Sequence, residues 1–195
     1  MNPKTRYDRT TGLNHHFDSQ NTPRPERHSS DVEEILGQTY RDVRAEAESG
    51  KDFTAAFDGQ ATEYAGVMLN SILFQVEKDL SWMAELVGHS REAKNYLKAS
   101  VKRKARMYRY LWDEKTMVFR DYHLSEERHS PVMTADGFIP LYVGLIENKD
   151  VTHSSAQLLS HLEKVGGIMS SNVYSGKQWD APYGWAPHHY FAIQG

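Results

Sequence analysis

The chain has 195 residues, of which 39% are hydrophobic and 25% charged, with a formal net charge of -3 and a mean hydropathy of -0.68. Neither the charge nor the pI of about 6.4 supports an affinity driven by a basic surface, so nucleic acid is excluded as the expected partner. Cysteine is absent, which removes disulfides, thiol nucleophiles and cysteine-ligated metals, and no apolar run approaches the roughly 18 residues of a membrane span. The opening MNPKTRYDRTTG shows no apolar signal-peptide core. Eleven tyrosines and four tryptophans raise the expectation of a site that stacks a ligand on aromatic rings.

Residues 1–30 are polar, carry three prolines and lack apolar periodicity, so they read as an extended segment, either a tail or a loop docked through Leu13 and Phe17. Ser30 is positioned to cap a helix opening with Asp31, Glu33 and Glu34, whose charges suit the positive end of the helix dipole. Val32, Ile35, Leu36, Tyr40 and Val43 give that helix one apolar face, and Gly50 closes it. From Leu69, apolar residues recur every three or four positions through Ile72, Val76, Leu80, Met83 and Val87, predicting a helix ended by Gly88. A second helix runs from Ser90 to about Leu111. The period then changes, and 111–124 reads as a short hairpin. Two further helices are predicted over 134–148 and 153–165, with a turn near Asn148 to Asp150. A Gly-, Pro- and Trp-rich loop fills 168–187, and a last helix starts near Pro187 and stops after two turns with Ala192 and Ile193 unpaired. About six helices and one hairpin make the chain mainly α.

Three short segments carry candidate chemistry. In Gly176–Pro187, GKQWDAPYGWAP, two prolines and Gly184 fix the backbone. Trp179 and Trp185 can then offer flat faces to the C–H faces of a sugar, while Gln178 and Asp180 bind hydroxyls; a tryptophan-pinned structural loop is the alternative. In Ala47–Phe57, AESGKDFTAAF, Asp52 precedes Phe53. A carboxylate packed against an aromatic loses solvation, which favours the protonated form a general acid needs; Lys51 would oppose this if its ammonium reached that carboxylate, and Asp52 could equally cap a helical turn. In Thr22–His28, TPRPERH, Arg24 and Glu26 share a face of an extended chain and could bracket vicinal hydroxyls, or form an incidental surface ion pair. The ten histidines show no metal-binding spacing, and the basic stretch Lys98 to Arg109 reads as the wet face of a helix, so neither metal nor cofactor is expected.

Taken in order, these segments resemble one family. The run QWDAPYGWAP at 178–187, preceded by Gly166-Gly167-Ile168 and Ser175-Gly176, resembles the second signature of the trehalases, glycoside hydrolase family 37. Phe17-Asp18 with Thr22 to Glu26 resembles the family's N-terminal sugar-binding stretch, and Tyr40-Arg41-Asp42 through Asp52-Phe53 its catalytic-acid segment. Leu69-Asn70-Ser71 through Lys78, Leu111-Trp112-Asp113 with Asp121-Tyr122, and Phe138 to Tyr142 come after these in register. The resemblance implies part of an (α/α)6 barrel carrying a small β-hairpin, with residues 1–195 a partial catalytic domain truncated at both ends. It implies hydrolysis of the α,α-1,1 bond of the disaccharide trehalose with inversion, and a compartment either cytoplasmic or periplasmic. By the same resemblance Asp52 is the general acid, and Arg24, Pro25, Glu26, Gly50, Gln178, Trp179 and Asp180 contact the sugar. An inverting enzyme also needs a base carboxylate about 6.5–9.5 Å from the acid. In the family that base lies beyond the tryptophan loop by more than the eight residues present here, so these residues alone are expected to be inactive. Lys51 stands where the family carries Trp, Tyr183 where it carries Asn, and His188-His189 where it carries Leu-Gln. A non-catalytic sugar-binding relative and an α-glucosidase acting on another small glucoside are the alternatives.

Overall fold

The computed structural model describes residues 6–24 and 39–195. The predicted Ser30-capped helix start therefore lies outside the described residues, as do Pro25 and Glu26. The first described helix, α1 (Tyr40–Glu48), begins with Thr39 at its N-cap, whose hydroxyl accepts the Asp42 N–H at 3.2 Å. Asp42 in turn accepts from the Thr62 N–H and hydroxyl, at 3.0 and 2.6 Å. This ties α1 to a short 3-10 turn at Ala61–Glu63 and to strand β1 (Tyr64–Ala65). A satellite core of Ala45, Phe57, Ala61 and Tyr64 sits between them.

The two long helices form where the sequence is most periodic. In α2 (Val67–Leu86), Val67, Asn70, Ser71 and Phe74 point into the core. The buried Asp121 accepts the Val67 N–H at 2.7 Å, satisfying one of the orphan donors of that helix's first turn. Gly88, in the left-handed region at φ 80°, lets the chain reverse into α3 (Ser90–Tyr110). Arg103 of α3 grips the Glu77 carboxylate of α2 with Nε and Nη2, at 2.8 to 3.1 Å, locking the register of the pair.

Among the described residues the predicted single hairpin is one of three small antiparallel sheets. Strands β2 (Trp112–Asp113) and β3 (Val118–Phe119) form the hairpin itself; β4 (Tyr122–His123) instead pairs with β1 and with β5 (Arg128–His129). Residues 134–148 are not one helix. A 3-10 turn (Ala135–Phe138) leads into the four-residue α4 (Ile139–Tyr142), because Pro140 favours a helix start and Gly144, at φ 63°, ends it. A Cβ on Gly137 would lie 2.6 Å from a Leu158 methyl, so a larger residue there would have to displace that side chain of α5 (Asn148–Leu162). Asn148 to Asp150, expected as a turn, is the first turn of α5. That helix stops at Leu162, and β6 (Glu163–Lys164) folds back on β7 (Gly167–Ile168). The last element is α6 (Ala186–Gln194), on which Ala192 packs against the core while Ile193 is exposed.

The main core gathers Leu13, Met107, Leu111, Ile139, Leu145, Leu158 and Leu162, all fully buried. Leu13 belongs to the N-terminal segment, which is docked: the Asn70 side chain donates to the Asn14 carbonyl and accepts the Asn14 N–H, at 2.8 and 3.0 Å. Residues of the 134–146 stretch are therefore mostly covered, whereas α2 leaves Ile72, Val76, Leu80 and Met83 exposed, together with Val87 just past its end. Among the described residues no helix is long and apolar enough to cross a membrane.

Candidate active site

The acid segment is shaped at the exit of α1. Ser49 closes the helix, with its hydroxyl donating to the Glu46 carbonyl at 2.6 Å, and Gly50 takes φ 78°, a conformation glycine adopts without Cβ strain. Three residues later Phe53 sits at φ 68°, an unusual position for a bulky side chain. The 170–185 loop accounts for it. The Trp179 backbone N–H donates to the Phe53 carbonyl at 3.2 Å, and its indole Nε1–H donates to Asp52 Oδ1 at 3.3 Å, so one tryptophan holds both residues.

Arg24 approaches the same carboxylate from the N-terminal segment, with Nη1 3.3 Å from Asp52 Oδ2. Asp52 is thus held on both oxygens and remains partly open to solvent, its side chain 30% exposed. Trp185 stands edge-on to Trp179 with ring centroids 5.1 Å apart. The two indoles, with Gly176, Gln178, Tyr183 and Gly184, line a cavity of about 510 Å³. Gln178 therefore faces space in which a hydroxyl could sit. A side chain on Gly50 would meet nothing within 4 Å, so that residue borders open space at the helix exit.

Asp180 is placed differently. It is fully buried, and its carboxylate accepts from the Thr54 hydroxyl at 3.0 Å, the Ala55 N–H at 2.7 Å and the Ser171 hydroxyl at 2.8 Å, with the Ser175 hydroxyl as a fourth donor. With its lone pairs engaged, it serves as the bolt between the acid segment and the tryptophan loop.

Lys51 does not reach Asp52. Its side chain turns inward, over the ring of Phe57 at 4.8 Å, and its ammonium donates to Asp136 Oδ2. His188 Nε2 lies 2.9 Å from the other oxygen, Oδ1. Burial disfavours the charge on Asp136, yet the Lys51 ammonium and His188 together hold its carboxyl well below the usual carboxylate range. Burial likewise opposes the Lys51 charge, and Asp136 reverses that and holds the ammonium's pKa up. Asp121, also buried, is pushed up by desolvation against the pull of Lys51. Among the described residues no group of three or more histidine and carboxylate side chains is arranged to hold a metal ion.

The profile of the family named Trehalase matches residues 1–195. The chain belongs to the trehalase family. The neutral trehalase of Saccharomyces cerevisiae superposes with a TM-score of 0.86 at 22% identity, over 100% of this chain and 43% of that one. This trehalase-family chain thus spans less than half the length of that relative. A sialidase superposes with a TM-score of 0.63 at 19% identity, over 75% of this chain and 14% of that one. A GH63 mannosylglycerate hydrolase from Thermus thermophilus superposes with a TM-score of 0.58 at 17% identity, over 92% and 42%. At these identities the likeness is one of fold: the chain is part of an (α/α)6 toroid with small sheets at its edge.

The residues that sequence reasoning passes over are those beneath the site. Asp136 falls in a stretch assigned to a helix, although a lone carboxylate in TADGFIPLY is a signal in itself. His188 is one of ten histidines that spacing alone leaves as solvated or core. Lys51 and His188 meet on Asp136.

Proposed function

We propose that these residues form the acid side of a trehalase site, in which Asp52 protonates the leaving glucose of the α,α-1,1 bond and hydrolysis to two glucose molecules proceeds with inversion. The observation that carries the reading is the meeting of Arg24, Asp52 and Trp179, the last two 127 positions apart, at the edge of an indole-lined cavity. Trp179 and Trp185 supply stacking faces, Gln178 a hydroxyl partner, and Arg24 a cation that can bridge acid and sugar. Glu26, Pro25 and Gly50 are assigned to sugar contact by the family resemblance. Asp180 is assigned a positioning role in place of a sugar contact. None of these 195 residues is assigned as the base, so the proposal for them is binding and orientation, without turnover by the chain alone.

A second reading is a sugar-binding relative without catalysis, favoured by the engagement of both Asp52 oxygens with Arg24 and Trp179. Calorimetric titration with trehalose, maltose and sucrose tests the shared part of the two readings. Trehalose is expected to bind best, and Trp179→Ala to weaken it about tenfold or more, the scale of losing an aromatic platform. Preference for maltose would move the assignment to another α-glucoside; absence of any binding would remove the sugar site. Adding the remainder of the toroid in trans separates the two readings: glucose release abolished by Asp52→Asn supports catalysis.

A further inference from the structure

Asp52 is fixed from two sides, and both sides lead to one buried carboxylate. Along the chain, its neighbour Lys51 is buried and ends on Asp136 Oδ2. Through space, Asp52 Oδ1 accepts from Trp179, Trp179 stands edge-on to Trp185, and Trp185 stands edge-on to His188 with centroids 4.9 Å apart. His188 then closes the ring at 2.9 Å from Asp136 Oδ1. His188 Nδ1 is buried without a hydrogen-bond partner, which places the proton on Nε2, facing the carboxylate. Three separate segments, carrying residues 51–52, 136 and 179–188, are thereby closed into a loop of contacts. A buried carboxylate is tolerated only while its charge is paired, so Asp136 holds Lys51 and His188 in one geometry. No sugar contact is assigned to any of the three.

We propose that Asp136, clamped between Lys51 and His188, is the positioning residue that aims the Asp52 carboxylate and the Trp179–Trp185 pair at a common point. Lys51 sets the direction of the acid segment from behind, and His188 sets the tilt of Trp185 and so of Trp179. The function assigned to this assembly rests on the sugar-site reading above; the assembly itself does not.

The test is made on the 195-residue protein labelled with 15N at its tryptophans. Its four indole N–H signals include that of Trp179, identified by its loss in Trp179→Phe. Asp52→Asn displaces the Trp179 signal by altering the oxygen it donates to. His188→Phe keeps the ring against Trp185 but removes the hydrogen bond to Asp136, and Lys51→Met keeps the length but removes the charge. Both are expected to displace the Trp179 signal as Asp52→Asn does, and to weaken trehalose binding, followed on the same signal, about tenfold. His188→Gln, which returns an N–H donor at similar reach, is expected to leave the Trp179 signal at its parental position. A role confined to packing reverses this order, with Phe harmless and Gln disruptive, and that result overturns the proposal. So does a Trp179 signal unmoved in both Lys51→Met and His188→Phe. Should His188→Phe fail to fold, Lys51→Met and His188→Gln decide between the two outcomes. If the indole responses take the expected order while trehalose moves no signal, the positioning stands and the sugar reading falls.

Discussion

His16 lies buried with Nδ1 3.9 Å from Glu48 Oε1, and burial pushes its pKa down to about 4 against the pull of that carboxylate. Its folded value is thus below the unfolded one, so between roughly pH 6.5 and 4 the unfolded chain binds more protons and stability falls as pH drops. A shift of that size corresponds to about 3 kcal/mol once fully developed. Thermal melts taken across that window are expected to show a falling midpoint, and His16→Gln is expected to flatten the fall; an unchanged slope in the variant would assign the effect elsewhere. Asp136 acts in a lower window, since its stabilisation is present above the ordinary carboxylate value and is lost only as pH falls through its depressed folded value. Asp180 makes a different prediction. Asp180→Ala leaves donors on Thr54, Ala55, Ser171 and Ser175 without their acceptor in a buried place, at a cost of about 3–5 kcal/mol. Urea denaturation should read that loss, and a loss below about 1 kcal/mol would show that the loop is bolted by other contacts.

At the level of the elements, α2 shows what a sequence can and cannot announce. Its period of three and four residues identifies the helix and its Gly88 stop, because the pattern is local. The same pattern does not say which apolar residues find partners: Phe74 is buried, while Ile72, Val76, Leu80, Met83 and Val87 form an exposed stripe along α2 and its C-cap. Apolar faces of that length favour association. Sedimentation velocity over a range of concentrations is expected to show self-association, reversed by Val76→Glu with Met83→Glu; a monomer at all concentrations would show the stripe to be tolerated in water. The 134–148 stretch departs from its expected helix for the opposite reason, since its breaks depend on contacts distant in sequence. Gly137 leaves room for the Leu158 side chain that lies against it, and no local rule encodes that neighbour. The tryptophan loop is legible as a candidate site because its residue types are unusual. Asp180 resembles a sugar ligand in sequence because nothing local reveals that Thr54 and Ala55 consume its oxygens. Lys51 threatens Asp52 by adjacency alone, whereas a buried acceptor elsewhere directs it inward.

Across the whole molecule, the site joins segments that would not meet in an unfolded chain: the N-terminal strap with Arg24, the exit of α1 with Asp52, and the 170–185 loop with Trp179. A ligand that binds only when these three are assembled must stabilise the fold as a unit, because it has no affinity for the separated pieces. At about one hundred times its dissociation constant such a ligand adds roughly 2.7 kcal/mol. For a chain of this size each kcal/mol raises the melting midpoint by about 2–4 °C. Saturating trehalose is therefore expected to raise the midpoint by about 5–10 °C. Arg24→Ala and Trp179→Ala, which act on different segments, should each remove most of that rise while leaving a cooperative transition. Val76→Glu, on the exposed stripe of α2, should keep it in full. A rise that survives the loss of Trp179 but not of Arg24 would place the sugar away from the indole-lined cavity, and a rise that persists equally in all three variants would trace it to exclusion of the sugar from the protein surface rather than to an assembled site.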